Sequence, residues 1–312
     1  MNNQRLLLII NPVSGKGTIA KAYIPTIENY IKEHNLDAEI YVTKESRDGM
    51  RFVEEKAKTG EEIRFYSCGG DGTLYEVVNG CYKYPNCQVA NIPLGSGNDF
   101  CRLFGKNTNL SDHVNGIPVK LDLIETDGTV AINECAMGLD SEICAKQGDF
   151  KKIPGVNGEM AYTVAALYCL MGKYKNRFKI TLDDTEVYED DYLFCYIGNS
   201  RWYGGGYKAA PNAMPNDGLI DVVMVRCDRG RLGLLPLIPK YKKGEHLDWD
   251  ITNFKRAKKV KIESRNPAAV NVDGECAYVT EREFKLLEKA ITFVVPRNSD
   301  FLNMLNYTTD VV

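Results

Sequence analysis

Up to about residue 122, the chain alternates short apolar runs with longer amphipathic stretches, and this alternation permits few folds. Buried strands are predicted at residues 6–10, 38–42, 63–66 and 88–92. Helices are predicted between them at residues 18–33, 49–58 and 74–82. Strands that alternate with helices are typical of a parallel sheet covered by helices, so we expect an α/β domain here.

The pattern changes near residue 119, where β-rich segments begin. Strands are predicted at residues 120–125, 130–135, 178–182, 192–197, 220–226 and 260–263, with helices at 160–171 and 230–243. We therefore expect a first, α/β domain of residues 1–124, joined by the tail at 297–312, and a second, β-rich domain of residues 125–296.

Composition excludes several classes of protein. The net charge of −3 over 312 residues gives no basic footprint for nucleic acid. The apolar run after the polar N-terminus is too short for a signal peptide, so a cytoplasmic location is predicted. Ten cysteines without a Cys-x-x-Cys pair indicate reduced, mostly buried thiols, and three widely separated histidines argue against a histidine-based metal site.

Three glycine-containing loops each follow a predicted strand, at residues 11–17, 69–73 and 93–99. In open α/β sheets, ligands bind beyond the carboxyl ends of the strands, where loops lead into helices. Glycines let backbone N–H groups approach an anion closely, and a helix N-terminus adds positive potential. The loops therefore predict a phosphate site, although the first lacks the spacing of a Walker A loop.

The second loop, Gly69-Gly70-Asp71-Gly72-Thr73, places a carboxylate where phosphate is expected. A phosphate would repel Asp71 unless a cation lay between them. Magnesium keeps several waters and bridges carboxylate to phosphate. The loop therefore predicts a metal nucleotide.

Together with later motifs, these loops resemble the diacylglycerol kinase catalytic family, especially its soluble bacterial lipid kinases. The resemblance covers nearly the whole chain, and Ser96 stands where the family usually has threonine. It is carried by Asn11-Pro12 with Ser14-Gly15, residues 69–73 and 93–102, Gly204-Gly205-Gly206, Pro211, Ala213, Asp217-Gly218-Leu219, Asp221 and Asp273-Gly274-Glu275.

The resemblance implies an N-terminal α/β domain of the NAD kinase and diacylglycerol kinase type, a C-terminal β-rich sandwich that presents lipid, and ATP with Mg²⁺ between them. The implied nucleotide-binding residues are Asn11, Ser14, Gly15, Lys16, Thr43, Gly69, Gly70, Asp71, Gly72, Thr73, Ser96 and Asn98. A catalytic Mg²⁺ would be held through water by Asp71, Asp99 and Glu275. A structural Mg²⁺ would bind Asp217 and the carbonyls of Met214 and Leu219.

The transferred phosphoryl group also needs a base for the attacking hydroxyl. Asp71, Asp273 and Glu275 are the predicted catalytic residues, and the resemblance favours Glu275 as the proton acceptor. Asp273-Gly274 is equally a strong signal for a hairpin turn, so sequence leaves the roles of Asp273 and Glu275 open.

Diacylglycerol, converted to phosphatidate in phospholipid biosynthesis, is the expected acceptor, and a sphingoid base, a polyprenol or a monoacylglycerol stay open. Asn133-Glu134 keeps an NAD kinase as an alternative, and a non-catalytic lipid- or nucleotide-binding regulator is a third.

The bacterial relatives suggest a homodimer. Peripheral contact with the inner face of the membrane is expected if lysine and arginine clusters share one face. The clusters are Lys151-Lys152, Lys173 with Lys175 and Arg177, Lys240 with Lys242-Lys243, and Arg256 with Lys258-Lys259.

Overall fold

The chain divides into two compact units in the computed structural model, which describes residues 4–105, 108–150, 153, 158–172 and 174–305. Unit 1 comprises residues 1–121 and 289–312, and unit 2 comprises residues 122–288. Within the described residues, no helix is both long enough and apolar enough to cross a membrane.

Unit 1 has the alternating strands and helices that the sequence predicts. The helix after the third strand begins at Asp71, three residues earlier than predicted, because Gly70 takes the N-cap position and Asp71 favours the first turn. The elements are β1 (Arg5–Ile10), α1 (Ile19–Glu33), β2 (Ala38–Val42), α2 (Asp48–Ala57), β3 (Ile63–Gly69), α3 (Asp71–Cys81), β4 (Cys87–Pro93) and α4 (Leu110–Val114), with 3-10 turns at Ser14–Gly17 and Phe100–Phe104.

The strands of unit 1 form a parallel sheet in the order β2-β1-β3-β4. The chain moves from β1 outward to β2 and then returns past β1 to β3. The strand order therefore reverses between β1 and β3, and this is where ligands bind in open α/β sheets. The loops after β1 and β3 are two of the three glycine-containing loops.

Unit 2 is built mainly from antiparallel strands. The order is β11-β10-β9-β7-β12-β13, and β8 pairs with both β9 and β12. The elements from residue 117 onward are β5 (Ile117–Thr126), β6 (Thr129–Ala131), β7 (Glu134–Gly138), α5 (Leu139–Phe150), α6 (Gly158–Met171), β8 (Asn176–Leu182), β9 (Glu186–Gly198), β10 (Ile220–Arg226), α7 (Arg231–Leu234), α8 (Ile238–Lys243), β11 (Thr252–Ala257), β12 (Lys259–Val272), β13 (Glu275–Val295) and α9 (Asp300–Met304).

Two elements predicted for unit 2 are wrong, because the structure divides each of them into shorter elements. The predicted strand at 130–135 is split between β6 and β7, because the N–H groups of Ile132 and Asn133 bind the carboxylate of Asp273 instead of a neighbouring strand. The predicted helix at 230–243 is divided into α7, a 3-10 turn at Leu235–Leu237 and α8. Pro236 and Pro239 cannot donate helical hydrogen bonds, which accounts for the breaks.

The segment at residues 292–301 packs within unit 1. Thr292 and Phe293 of β13 pair in parallel with β4. The N–H of Arg297 donates to the carbonyl of Asp112 at 3.0 Å. Phe301 on α9 is fully buried, with its ring 6.3 Å from that of Phe104.

We expect Phe301→Ala to lower the free energy of unfolding by about 3 kcal/mol, because it removes a buried ring and leaves a cavity. Urea denaturation followed by circular dichroism would measure the change. Met304→Ala on the same helix is the control, since Met304 is 40% exposed and its loss should stay within about 0.5 kcal/mol. Equal effects of the two variants would contradict the role given to Phe301.

Candidate active site

The three glycine-containing loops of unit 1 meet one another at backbone distance. A methyl group on Gly95 would lie 2.3 Å from the Cα of Gly70, and one on Gly15 would lie 2.8 Å from the carbonyl oxygen of Leu94. The carbonyl of Gly69 accepts N–H bonds from Leu94 and Gly95, at 2.8 and 3.1 Å. Glycine is therefore required where the loops touch, and the loops form one site.

Two carboxylates lie close to Gly97. A methyl group there would be 3.0 Å from Oδ2 of Asp71 and 3.4 Å from Oδ2 of Asp99. Asp71 begins α3, and its Oδ1 accepts the N–H of Phe100 at 3.3 Å. Asp99 is buried, and its Oδ1 accepts from Nε of Arg102 at 3.0 Å. The structure thus brings together two of the three residues predicted to hold a catalytic metal.

The other predicted nucleotide-binding residues lie around these loops. Asn98 holds the third loop closed, since its side chain accepts from Gly95 N–H at 3.0 Å and donates to the Gly95 carbonyl at 2.7 Å. Ser96 is exposed, and the side chain of Lys16 lies outside the described residues. Asn11 Oδ1 accepts the N–H of Val13, and Thr43 is buried at the end of β2. Their contacts with nucleotide stay predictions.

In unit 2, Asp273 and Gly274 form the two-residue turn between β12 and β13, both with positive φ. The Asp273 carboxylate is buried and accepts N–H bonds from Ile132, Asn133 and Glu134 at 2.7, 3.1 and 2.8 Å. Burial raises the pKa of Asp273 to about 6, and the three N–H bonds act in the opposite direction. This carboxylate therefore anchors the turn to the segment before β7.

Neighbouring side chains hold the same turn. Asn271 donates from Nδ2 to Glu134 at 2.6 Å and accepts the N–H of Gly274 at 2.8 Å. Asn133 donates from Nδ2 to the carbonyl of Trp202 at 2.9 Å. Asn133 and Glu134, the pair behind the NAD kinase alternative, thus serve contacts inside unit 2. Glu275, next to the turn, is exposed.

Asp217, the predicted ligand of a structural metal, is bound to Arg256. The Arg256 guanidinium contacts both Asp217 and the buried Asp221, the latter at 2.8 Å. Oδ1 of Asp217 accepts the N–H of Leu219 at 3.1 Å, and the Met214 carbonyl accepts the N–H of Asp217 at 3.4 Å. A cation here would have to displace Arg256, so the structural Mg²⁺ stays a prediction.

Unit 2 also contains an apolar cavity of about 90 Å³, which the sequence did not predict. At its polar end, Tyr203 donates to the buried Asp140 and lies 3.1 Å, oxygen to oxygen, from Tyr241. The sequence did contain a feature that indicates this tyrosine cluster, because tyrosines flank the Gly204–Gly206 motif. These glycines all have positive φ and bring Tyr203 and Tyr207 together. The apolar lining includes Leu139, Ile143, Leu170, Leu193, Phe194 and Leu234.

Comparison with known proteins accounts for both units. Residues 5–130 match the diacylglycerol kinase catalytic domain, and residues 134–295 match the YegS C-terminal NAD kinase beta sandwich-like domain. A diacylglycerol kinase from Mycobacterium tuberculosis is 30% identical over 310 residues, covering 94% of this chain and 96% of its own. The chain belongs to the diacylglycerol kinase family.

Solved structures agree with this fold. A diacylglycerol kinase from Bacillus anthracis superposes with a TM-score of 0.67 at 23% identity, covering 94% of this chain and 97% of its own. An Archaeoglobus fulgidus NAD kinase in complex with ATP gives 0.54 at 14% identity, covering 96% and 97%. The predicted fold, an α/β domain followed by a β-rich sandwich, is confirmed. As a member of the diacylglycerol kinase family, the protein is a phosphotransferase that acts on an alcohol group.

We expect acid to destabilise unit 2 through His246, which packs against Tyr241 and Trp249. Burial lowers the pKa of His246 to about 4, while its Nε2–H donates to the carbonyl of Ala209. The unfolded chain therefore binds the proton first. The contribution of His246 to stability is full above pH about 6.5 and falls toward pH about 4, by at most about 1.4 kcal/mol per pH unit.

Tryptophan fluorescence during urea unfolding would measure this, since both tryptophans, Trp202 and Trp249, lie in unit 2. His246→Gln should remove this contribution, so that its stability relative to the unaltered protein rises as the pH falls from about 6.5 to about 4. His34→Gln, at the exposed position that follows α1, should leave the pH dependence unchanged. An unaltered profile in His246→Gln would show that another group titrates.

Proposed function

We propose that this phosphotransferase is an ATP- and Mg²⁺-dependent lipid kinase that converts diacylglycerol to phosphatidate, a step of phospholipid biosynthesis. The observation that carries the proposal is the position of Asp71 in the first turn of α3, beside Asp99 and among three touching loops. Backbone N–H groups at this helix end suit phosphate oxygens, and the two carboxylates suit a cation between protein and phosphate.

The chemistry of the donors fits Mg²⁺. Asp71 and Asp99 offer hard oxygen ligands, and magnesium usually takes one or two carboxylates and completes its coordination with water and phosphate. Among the described residues, no group of three or more His, Cys, Asp or Glu side chains forms a protein cage for a metal. A water-mediated ion is therefore the expected form. When bound, it would neutralise charge that develops on the transferred phosphoryl group.

Glu275 is the proposed acceptor of the proton from the attacking lipid hydroxyl, and Asp273 is proposed as its positioning residue. Glu275 is exposed, whereas three backbone N–H groups occupy the Asp273 carboxylate. A carboxylate that must receive a proton from a substrate needs to be reachable. The turn that these hydrogen bonds hold fixes the backbone position of Glu275.

The cavity in unit 2 supports a lipid acceptor over a dinucleotide. Its walls are aliphatic and aromatic, and its polar end offers hydroxyl and carboxylate groups from Tyr203, Tyr241 and Asp140. At about 90 Å³, it has room for several water-sized groups but is short for a complete acyl chain. We infer that α7 and α8, which contribute Leu234, Ile238 and Tyr241 to its wall, move outward when lipid enters.

Membrane contact is proposed for the outer face of α6 and α7. Met171 and Leu232 are 79% and 85% exposed, and Arg231 joins their helices by donating to the carbonyls of Leu170 and Gly172 at 3.0 and 3.1 Å. Exposed apolar side chains beside an apolar cavity suit a lipid surface. A cytoplasmic location and a homodimer stay predictions.

The clusters of lysine and arginine differ in the partners that they have in the structure. Lys175 and Arg177 pair with Asp191 and Glu189, and Arg256 pairs with Asp217 and Asp221. Lys258 pairs with Glu288, and Lys259 pairs with Asp184 and Glu283. Lys151, Lys152 and Lys173 lie outside the described residues. The α8 cluster, Lys240, Lys242 and Lys243, is proposed to meet anionic headgroups, because it lies in the last turn of a helix that also lines the apolar cavity.

We expect Asp71→Asn and Glu275→Gln each to reduce ³²P transfer from ATP to diacylglycerol in mixed micelles by at least about 100-fold. The first loses charge at the proposed cation, and the second loses the proposed base. Product identification by mass spectrometry should give phosphatidate. Glu281→Gln is the control, because this exposed residue of β13 pairs with Lys261 at the surface and should keep full activity.

Full activity in both site variants would contradict the site. Formation of NADP from NAD and ATP would favour the NAD kinase alternative, and a different product from a lipid panel would replace diacylglycerol as the acceptor. Binding of ATP without turnover on any lipid would favour a regulator.

We also expect Leu232→Glu to weaken sedimentation with vesicles that contain anionic phosphatidylglycerol, because a charge replaces an apolar contact. Val187→Glu is the matched control: Val187 is 55% exposed on β9 of the same unit and should bind as the unaltered protein does. Equal binding of both variants would show that another surface meets the membrane.

A further inference from the structure

Two thiols lie beside the turn that precedes Glu275. Cys276 is exposed at the start of β13, and Cys144 is half-buried on α5. Their Sγ atoms are 3.8 and 3.9 Å from the same carbonyl oxygen, that of Gly274. Although the two cysteines are far apart in sequence, the fold gives them a common neighbour.

A second contact places Cys276 against the same face of α5. Its Sγ lies 3.9 Å from the carbonyl oxygen of Ser141, which precedes Cys144 by one helical turn. A hydrogen bond with Cys276, reinforced by burial, raises the pKa of the Cys144 thiol well above its usual value. The two thiols therefore lie close together, beside one carbonyl oxygen and against one face of α5.

The remaining cysteines are placed differently. Cys227 is half-buried, and none of the others is exposed. Burial raises the pKa of the buried thiols, for example Cys68, Cys135 and Cys195. Accessibility and a nearby second thiol, the two features of a reversible oxidation site, occur together at Cys276.

We propose that Cys276 and Cys144 form a reversible disulfide when the protein meets a peroxide. The Cys276 thiolate attacks one oxygen of hydrogen peroxide, the O–O bond breaks, and hydroxide leaves and takes up a proton as water. The resulting sulfenic acid is attacked by the Cys144 sulfur. The S–S bond forms, and the hydroxyl group leaves as water with the proton of the Cys144 thiol. Overall, two thiols lose two electrons and two protons, and one peroxide becomes two waters.

The disulfide ties the beginning of β13 to α5. Glu275 immediately precedes Cys276, so the disulfide restricts the positions that the Glu275 side chain can reach. If Glu275 accepts the proton of the lipid hydroxyl, oxidation lowers the kinase activity. This consequence rests on the proposed function, whereas formation of the disulfide does not.

Peptide mapping by mass spectrometry after hydrogen peroxide treatment of the full chain tests the bond itself. We expect one cross-linked peptide pair joining Cys276 to Cys144, with the loss of two hydrogen atoms, reversed by dithiothreitol. Cys144→Ser should leave a sulfenic acid on Cys276 that dimedone traps, and Cys276→Ser should give no cross-link. Cys227→Ser, the matched control, should form the cross-link as the unaltered protein does.

Cys276→Ser changes an exposed side chain, and its melting temperature should equal that of the unaltered protein, so the comparison does not depend on folding of Cys144→Ser. The proposal is overturned if peroxide yields no cross-link in the unaltered protein. It is also overturned if the cross-link joins another pair of cysteines or persists in Cys276→Ser.

Activity separates the disulfide from the proposed function. If the reduced protein phosphorylates lipid, the oxidised protein should lose about 100-fold or more, the size of a general-base contribution. Dithiothreitol should restore the activity, and Cys276→Ser should resist peroxide. Equal activity of cross-linked and reduced protein would overturn the regulatory effect. A cross-link in a protein that phosphorylates no lipid would leave the disulfide standing and reject the lipid kinase.

Discussion

The close approach of Gly70 and Gly95 is the constraint on which the candidate nucleotide site depends. Any side chain on Gly95 would collide with the backbone of Gly70, so the ends of β3 and β4 can meet only as glycine against glycine. This contact brings Asp99 beside the first turn of α3. Helix N-termini carry about half a positive charge, which stabilises Asp71 there before any ligand arrives.

The charges at this site are the reason for proposing a bound cation. Asp71 and Asp99 contribute two carboxylates, with the guanidinium of Arg102 beside Asp99 and the N-terminus of α3 at Asp71. An anionic phosphate that approached these two carboxylates would be repelled by them. A divalent cation reverses this balance. The same carboxylates that oppose free phosphate therefore favour a metal nucleotide.

Local sequence patterns predicted an element correctly where the residues of that element alone determine it. The strands at residues 38–42 and 220–226 were predicted with the bounds that the structure has. The strand at 130–135 failed because its N–H groups bind Asp273, which is remote in sequence. Helix α5 was missed because its buried residues are confined to one end, Leu139 to Ile143, and its full length shows little periodicity.

The candidate site could be predicted only as far as single loops allow. Asp71, Asp99 and the glycines could be identified from the sequence, since each lies in a loop that follows a predicted strand. The sequence could not separate Asp273 from Glu275, because Asp-Gly is typical of a hairpin turn and either carboxylate could serve as the base. The fold separates them by burial: Asp273 satisfies three backbone N–H groups, and Glu275 stays exposed.

The same turn explains why the thiol pair was invisible in the sequence. Spacing of cysteines signals a redox site only when both thiols belong to one local motif. Here the Asp273 carboxylate fixes the hairpin against the segment before β7, and α5 follows β7 directly. Cys144 and Cys276 are thus brought together by hydrogen bonds that neither cysteine makes. Asp273, the proposed positioning residue of Glu275, thus also places the oxidisable pair beside it, so the proposed base and its proposed sensitivity to oxidation depend on one buried carboxylate.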